Sequence, residues 1–230
     1  MNFAFVFPGQ GSQSVGMMAA YGESAVIRQA FAEASEALGE DLWQMVADGP
    51  AEVLAQTVNT QPLMLTAGVA VYREWIARGG VQPSLVAGHS LGEYSALVVA
   101  GALDFQEAVK LVRLRAQAMQ EAVPQGEGAM AALLGLDEAA TVEACAEAAQ
   151  GEVVSAANLN SPGQIVIAGA RAAVERAMVA AKARGAKRAV LLPVSAPFHC
   201  ALMKPAAERL QQRLAEIEVR VPAIPVLNNV

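Results

Sequence analysis

Residues 85–99 read LVAGHSLGEYSALVV, and this stretch decides the fold. Its apolar start, 85–87, predicts a short buried strand, and its Ala-, Leu- and Val-rich end predicts a helix. The GHSLG pattern at 88–92 places a glycine on each side of Ser90, as expected where a strand turns sharply into a helix. Strand, tight turn and helix in this order are typical of an α/β protein with a parallel sheet. We therefore expect a hydrolase-like α/β domain.

The composition indicates a globular protein that can form a sizeable core. Of the 230 residues, 54% are hydrophobic and 17% are charged, whereas disordered chains have few apolar and many charged residues. The longest apolar runs, such as 96–103, are shorter than the roughly 18 residues of a membrane-spanning helix. The N-terminus has no basic stretch before its apolar residues, which favours a buried strand over a signal peptide. We expect a cytoplasmic protein with no membrane partner.

Charge, cysteine and histidine content argue against several other classes. The net charge is −6 with no block of like charges, so nucleic acid is not an expected partner. Two cysteines and two histidines indicate neither a disulfide framework nor a zinc site. Cys200 follows His199 and could be read as a thiol nucleophile, but adjacent residues on an extended segment point in opposite directions. We disfavour that role and expect Cys145 to pack in a helix.

The order of elements after residue 126 indicates a second, smaller domain. Strands are predicted at 129–136, 153–157, 164–168 and 187–193, helices at 138–149 and 172–183, and a loop at 158–163. This βαββαβ order is that of a ferredoxin-like unit. We therefore expect a ferredoxin-like small domain at 125–193, inserted into a large domain formed by 1–124 and 194–230. A helix at 202–217 and a strand at 224–227 are expected to belong to the large domain.

Ser90 is the candidate nucleophile of the large domain. A sharp turn exposes its hydroxyl, and the N–H groups at the start of the following helix point to an oxyanion formed there. A serine also needs a base, and His89 is its immediate neighbour, so the two side chains should diverge. His199, in a predicted loop, is the remaining histidine. The alternatives are an ordinary tight turn at Ser90 and a core or capping role for His199, and no acidic residue can be named that would orient the imidazole.

The glycine-rich segment 7–13, FPGQGSQ, follows the first predicted strand. It lacks the third glycine of GxGxxG and the Gly-Lys-Ser/Thr of a P-loop, so dinucleotide or triphosphate binding is not indicated. The segment lies at the carboxyl end of a strand, where α/β sheets place their ligands. Its backbone could supply a second oxyanion donor, or it could be a plain turn.

A helix is predicted from Asp104 to about Val123, and Asp104 and Glu107 should cap its start. An arginine interrupts the apolar stripe of this helix. Arg115 lies on the buried stripe, whereas Arg113 lies on the polar face. A buried guanidinium needs an anionic partner. That partner is either a protein carboxylate or the carboxylate of a bound acyl group. A further alternative is that the Arg115 side chain snorkels to the solvent. Another helix is predicted to open at 61–62, with its proline in the first turn.

Six segments together closely resemble the malonyl-CoA:acyl carrier protein transacylase family. They are FPGQGSQ at 7–13, NTQP at 59–62, GHSLGEY at 88–94, Arg115 with MQEA at 119–122, NLNSPGQ at 158–164 and PFH at 197–199. The likeness extends over the whole chain, and six motifs in the same order are far more specific than any one of them.

The resemblance implies roles for individual residues. Ser90 would be the acylated nucleophile, and His199 would be its general base and later acid. The backbone N–H groups of Gln10 and Leu91 would form the oxyanion hole, and Arg115 would pair with the free malonyl carboxylate. Three further residues would line or support the cleft: Gln61, Met119 and Asn158.

The reaction implied is ping-pong transfer from malonyl-CoA to the phosphopantetheine thiol of acyl carrier protein, supplying fatty acid biosynthesis. No metal or bound cofactor is expected, and a monomer suffices. Family members generally continue beyond residue 230, so the C-terminal part of the large domain, including the residue whose carbonyl orients the histidine, is expected to be missing. Two alternatives are a serine esterase or thioesterase with the same elbow and a non-catalytic, truncated binding module.

Overall fold

A computed structural model describes residues 2–229 of the chain. Along the chain the elements are β1 (Ala4–Phe7), α1 (Ala25–Leu38), α2 (Leu42–Asp48), α3 (Ala51–Leu54), α4 (Thr57–Ala77), β2 (Leu85–Gly88), α5 (Leu91–Val99), α6 (Phe105–Glu121), β3 (Gly128–Leu134), α7 (Glu138–Ala149), β4 (Val154–Ser161), β5 (Gln164–Ala170), α8 (Arg171–Ala183), β6 (Arg188–Leu191), α9 (Lys204–Leu214) and β7 (Val226–Leu227). Short 3-10 turns lie at Ala19–Tyr21 and Ala201–Met203.

The chain divides into two compact units. The first comprises Met1–Gln117 and Leu210–Val230, and the second comprises Ala118–Arg209. Helices α6 and α9 each contain one of the points where the chain passes from one unit to the other.

A parallel sheet organises the first unit. Within the described residues it has three strands in the order β1-β2-β7, with Phe7 opposite Gly88 and Ala87 opposite Leu227. Parallel neighbours cannot be joined by a hairpin, and helices α1 to α4 form the connection between β1 and β2. The α/β fold with a parallel sheet, predicted from 85–99, is confirmed.

The main core of the first unit lies between its helices. Phe31 of α1 is fully buried and meets the ring of Trp43 edge-on at 5.2 Å. Leu65 of α4 and Leu111 of α6 are also fully buried in this core. A smaller cluster formed by Phe7, Val86, Ala96, Ala100 and Ile224 packs the sheet against α5.

The second unit contains an antiparallel sheet with two helices. The strand order is β4-β5-β3-β6, and every neighbouring pair is antiparallel. Its core includes Leu133 of β3, Ile167 of β5 and Val174 of α8, and Cys145 of α7 packs there as predicted. The predicted helix at 138–149 is confirmed at both ends, and Asp137 caps it by accepting a hydrogen bond from the Ala140 N–H at 2.8 Å.

Two local predictions are wrong. The loop expected at 158–163 is mostly strand, because β4 continues to Ser161 and leaves only Pro162 and Gly163 before β5. Pairing with β5 overrides the loop-like composition, and Asn158 lies opposite Val166 beside an irregularity in the register. Helix α4 begins at Thr57, so Pro62 lies inside the helix rather than in its first turn.

The α6 cap is confirmed in part. Asp104 accepts a hydrogen bond from the Glu107 N–H at 3.0 Å, as an N-cap should. The Glu107 carboxylate pairs with Lys110 at 3.0 Å and with Arg213 of α9 at 2.5 Å. Arg113, expected on a solvated face, has only 15% of its side chain exposed, and both of its terminal nitrogens donate to the Glu40 carboxylate.

None of the helices between residues 2 and 229 combines the length and apolar character that crossing a bilayer requires. In the same part of the chain, no group of three or more His, Cys, Asp or Glu side chains could hold a metal ion.

Candidate active site

The turn at Ser90 has the strained geometry that the GHSLG pattern predicts. Strand β2 ends at Gly88, helix α5 begins at Leu91, and Ser90 between them has φ 53° and ψ −106°. Residues other than glycine seldom adopt this backbone conformation, which costs about 1–3 kcal/mol. Strained conformations of this kind cluster at functional sites. Ser90 is half-buried, whereas His89 is exposed. The predicted strand, turn and helix are confirmed.

Both glycines of this turn are sterically required. A Cβ at Gly88 would lie 2.0 Å from the Gly92 carbonyl carbon, and a Cβ at Gly92 would lie 2.1 Å from the Phe7 carbonyl oxygen. The close approach of Gly92 to Phe7 brings the end of β1 against the first turn of α5. The name elbow is used below for residues 88–92.

The glycine-rich loop after β1 lies against the elbow. The His89 N–H donates to the Phe7 carbonyl at 3.3 Å, and a Cβ at Gly9 would lie 2.7 Å from the His89 carbonyl oxygen. Gln10 follows directly, and its side-chain Nε2 donates to Thr57 Oγ1 at 3.1 Å. Leu91 is buried at the first position of α5, where helix N–H groups have no partner within the helix. The two predicted oxyanion donors therefore belong to adjoining segments.

Arg115 reaches the predicted nucleophile. Its Nη2 donates to Ser90 Oγ at 3.0 Å, and its Nη1 donates to Gln61 Oε1 at 2.8 Å. Gln61 is 1% exposed, so this amide is a fixed acceptor for the guanidinium. Among the described residues no carboxylate forms a salt bridge with Arg115, so the direct ion pair with a protein carboxylate is not formed, although the Glu93 charge acts on Arg115 from a distance and opposes the lowering of its pKa by burial.

Tyr94 is a neighbour of Arg115 that the sequence analysis did not single out. The Arg115 guanidinium carbon lies 5.4 Å from the centre of the Tyr94 ring, within the range of a cation–π contact. Burial raises the pKa of Tyr94, and the Arg115 charge partly opposes that rise. Burial also lowers the pKa of Arg115, although the Tyr94 phenol counteracts it. An arginine guanidinium is not deprotonated in proteins, so Arg115 presents a cation beside Ser90.

Asn229 is a second neighbour that sequence reasoning missed. Its Oδ1 accepts a hydrogen bond from the Ser90 N–H at 2.7 Å, and its Nδ2 donates to the Gly88 carbonyl at 2.7 Å. The residue lies two positions after β7, the strand that pairs with β2. No sequence motif joins it to residues 139 positions earlier.

The other predicted site residues belong to the second unit. His199 lies in a turn with φ 61°, directly after the buried Phe198, and its side chain is exposed. Met119 is buried near the end of α6, and Asn158 is half-buried in β4. Within the first unit the structure brings together Ser90 with Arg115 and Gln61. The pairing of Ser90 with His199, and the roles of Met119 and Asn158, stay predictions.

Cys200 does not have the surroundings of a nucleophilic thiol. Its Sγ donates to the Pro197 carbonyl at 3.1 Å. Burial raises the pKa of this thiol, which reduces the thiolate present at neutral pH. Its position supports the preference for Ser90.

Comparison with known proteins decides the family. Residues 4–229 match the acyl transferase domain family. The chain belongs to this family. It is 61% identical to the malonyl CoA-acyl carrier protein transacylase of Escherichia coli (strain K12), over 99% of this chain and 74% of that protein. It is 49% identical to the protein of the same name in Bacillus subtilis (strain 168), over 99% of this chain and 72% of that protein.

Solved structures of acyl transferases agree with this membership. An acyl carrier protein S-malonyltransferase from Vibrio cholerae is 62% identical and superimposes with a TM-score of 0.98, covering 100% of this chain and 76% of that one. A malonyl-transacylase in complex with its type II PKS acyl carrier protein is 57% identical, also with a TM-score of 0.98, covering 100% and 75%. The resemblance found from the six motifs is thereby confirmed.

Proposed function

We propose that this acyltransferase moves a malonyl group from malonyl-CoA to the phosphopantetheine thiol of an acyl carrier protein, through an ester on Ser90. The observation that carries the proposal is the Arg115 cation, 3.0 Å from Ser90 Oγ and without a protein carboxylate of its own among the described residues. An acyl group attached at Ser90 that ends in a carboxylate would meet this guanidinium, which suits bidentate binding of a carboxylate. The names of the relatives, cited above, support the same substrate.

The proposed chemistry has two equivalent halves. His199 takes the Ser90 hydroxyl proton while Oγ attacks the thioester carbonyl, and the Gln10 and Leu91 N–H groups stabilise the resulting oxyanion. The carbon–sulfur bond breaks, and the CoA sulfur leaves with the proton held by His199. The carrier thiol then attacks the Ser90 ester carbonyl while His199 removes the thiol proton. The bond between the acyl carbon and Ser90 Oγ breaks, His199 returns the proton to Oγ, and the malonyl group leaves as the carrier thioester. The proposal includes no metal or bound cofactor, since proton transfer and oxyanion stabilisation supply the steps.

The Gln61 side chain would support substrate binding by holding Arg115, while Met119 and Asn158 would line the acyl group's surroundings. The first role is supported by the hydrogen bond between Gln61 and Arg115. The other two roles are supported by the family resemblance of the segments that contain these residues.

We also propose a division into a large hydrolase-like domain, 1–124 with 194–230, and a ferredoxin-like domain at 125–193. The two compact units support the division in outline. The order β4-β5-β3-β6, with α7 and α8 in a βαββαβ chain, supports the ferredoxin-like description. The proposed form is a cytoplasmic monomer that serves fatty acid biosynthesis, and size-exclusion chromatography with light scattering would test the monomer.

Intact-mass measurement after mixing with malonyl-CoA tests the reaction directly. We expect the mass to increase by one malonyl group, the adduct to persist in buffer, and the addition of holo acyl carrier protein to remove it. Ser90→Ala is the control and should gain nothing. Rapid release of free malonate without an acceptor would instead identify an esterase or thioesterase, and the absence of any covalent gain would identify a binding module.

A further inference from the structure

The Asn229 carboxamide joins the two sides of the elbow. Its oxygen accepts from the Ser90 N–H and its nitrogen donates to the Gly88 carbonyl, each at 2.7 Å. One planar group thus links the residue before His89 to the residue after it. A link of this kind restricts the turn that carries the nucleophile.

The elbow needs such a link because its own backbone leaves two groups to be paired. The His89 N–H donates to Phe7, and the Gly92 N–H returns to the His89 carbonyl at 2.9 Å. The Ser90 N–H and the Gly88 carbonyl instead find their partners on Asn229. Ser90 has φ 53°, a conformation that persists only where surrounding contacts hold it.

Asparagine suits this position chemically. The link requires one acceptor and one donor on the same short planar group, which a carboxamide provides. Aspartate has the same shape but offers only acceptors when ionised, and it would face the Gly88 carbonyl oxygen with another oxygen. Alanine offers neither group.

Asn229 is itself held in place. Its backbone N–H donates to Glu93 Oε2 at 3.1 Å, and Glu93 lies in the first turn of α5, directly after the elbow. Strand β7 pairs with β2 through Ala87 and Leu227, which brings the chain alongside the elbow. The link is therefore anchored from both the sheet and the helix.

We propose that Asn229 is a positioning residue for acyl transfer, which holds Ser90 so that Oγ is presented to the incoming acyl carbon. The inference rests on the proposed role of Ser90 as nucleophile. Removing the link lets the turn relax, so Oγ spends less time in the reactive geometry, while residues that would bind the acyl group, such as Arg115, are retained. A displacement near 1 Å at a reacting atom can cost about a hundredfold in rate.

The test compares Asn229→Ala and Asn229→Asp with Asn228→Ala, a neighbouring asparagine that makes none of these three hydrogen bonds. Each protein is mixed with malonyl-CoA, and separately with a fluorophosphonate probe that modifies activated serines irrespective of acyl group. Intact mass gives the rate and the final extent of Ser90 modification. Amide hydrogen exchange at Ser90 reports the hydrogen bond directly.

We expect both Asn229 variants to react about tenfold to a hundredfold more slowly with each reagent, to reach full modification, and to exchange the Ser90 amide faster. Asn228→Ala should react at the rate of the protein without substitutions. Full modification at a reduced rate separates mispositioning from a loss of folded protein. If Asn229→Ala does not fold, the isosteric Asn229→Asp decides the question.

Asn229 variants whose rates lie within twofold of Asn228→Ala would overturn the inference, whatever the outcome for malonyl transfer. A different result would contradict the proposed function and still support this inference. In that case the protein without substitutions gains no malonyl group, yet the Asn229 variants react more slowly with the phosphonate probe.

Discussion

At the scale of single residues, Ser90 is controlled by side chains of different chemistry. Arg115 donates to its Oγ, and Asn229 accepts from its N–H. A cation at 3.0 Å favours the negative charge that develops on Oγ when its proton leaves. The same cation can bind a carboxylate on the acyl group, so one side chain links nucleophile and substrate. Gln61 and Tyr94 hold that cation in place.

Replacing Arg115 by alanine should change which acyl group is transferred. We expect malonyl transfer to fall by roughly one to two decades in kcat/KM, because a charged hydrogen bond contributes about 1.5–3 kcal/mol. Acetyl transfer should improve relative to malonyl transfer, since acetyl has no carboxylate to lose its partner. Steady-state kinetics with both CoA esters measures the ratio.

Arg113→Ala is the matched control on the same helix. Arg113 pairs with Glu40, not with Ser90, so its loss should affect stability and leave the malonyl-to-acetyl ratio unchanged. An unaltered ratio in Arg115→Ala would remove Arg115 from the acyl site.

At the scale of elements, the elbow depends on how closely β1, β2 and α5 approach one another. Gly88 and Gly92 leave no room for a Cβ, and the end of β1 contacts the first turn of α5. The GHSLG pattern predicted this element because part of the steric demand is local. A Cβ at Gly88 would clash with Gly92, whereas a Cβ at Gly92 would clash with Phe7 of another strand. The sequence did not predict the start of α4 at Thr57 or the length of β4, because burial of the first turns of α4 and pairing of β4 with β5 override local turn preferences.

Gly92→Ala should disrupt this element. Its Cβ would lie 2.1 Å from the Phe7 carbonyl oxygen, so the strand or the helix must shift. We expect the free energy of unfolding to fall by about 1–3 kcal/mol and Ser90 modification to be nearly abolished. Urea denaturation and the malonyl adduct assay measure the two effects.

Gly101→Ala is a control in which the added Cβ causes backbone strain but no steric clash. Gly101 has φ 77° with no atom within 4 Å of an added Cβ, so this change should cost about 1–2 kcal/mol and preserve Ser90 modification. Equal loss of modification in both variants would contradict the steric explanation.

At the scale of the whole molecule, the chain has separate cores in its two units. The first core surrounds Phe31 of α1 and the second surrounds Leu133 of β3, and both side chains are fully buried. Each core is formed by residues of its own unit. A substitution in one core should therefore increase amide exchange mainly in the unit that contains that core.

Phe31→Ala and Leu133→Ala form a matched pair that tests whether the two cores are independent. We expect Phe31→Ala to cost about 3–5 kcal/mol and Leu133→Ala about 2–5 kcal/mol, from lost apolar contact and the cavity left behind. Amide hydrogen exchange should increase mainly in α1, α2 and α4 for the first and mainly in β3 to β6 for the second. Uniform acceleration across 2–229 in both variants would indicate a single cooperative core.

The sequence by itself determined what local chemistry can decide: the α/β class, the strand and helix around Ser90, the helix at 138–149 and the Asp104 cap of α6. These depend on periodicity, steric room and capping within a few residues. The family resemblance added the expected roles. Only the tertiary structure decided what touches Ser90, because Arg115 and Asn229 are 25 and 139 positions away in the chain. No local pattern encodes such a contact, which exists only once the strands have paired and the helices have packed.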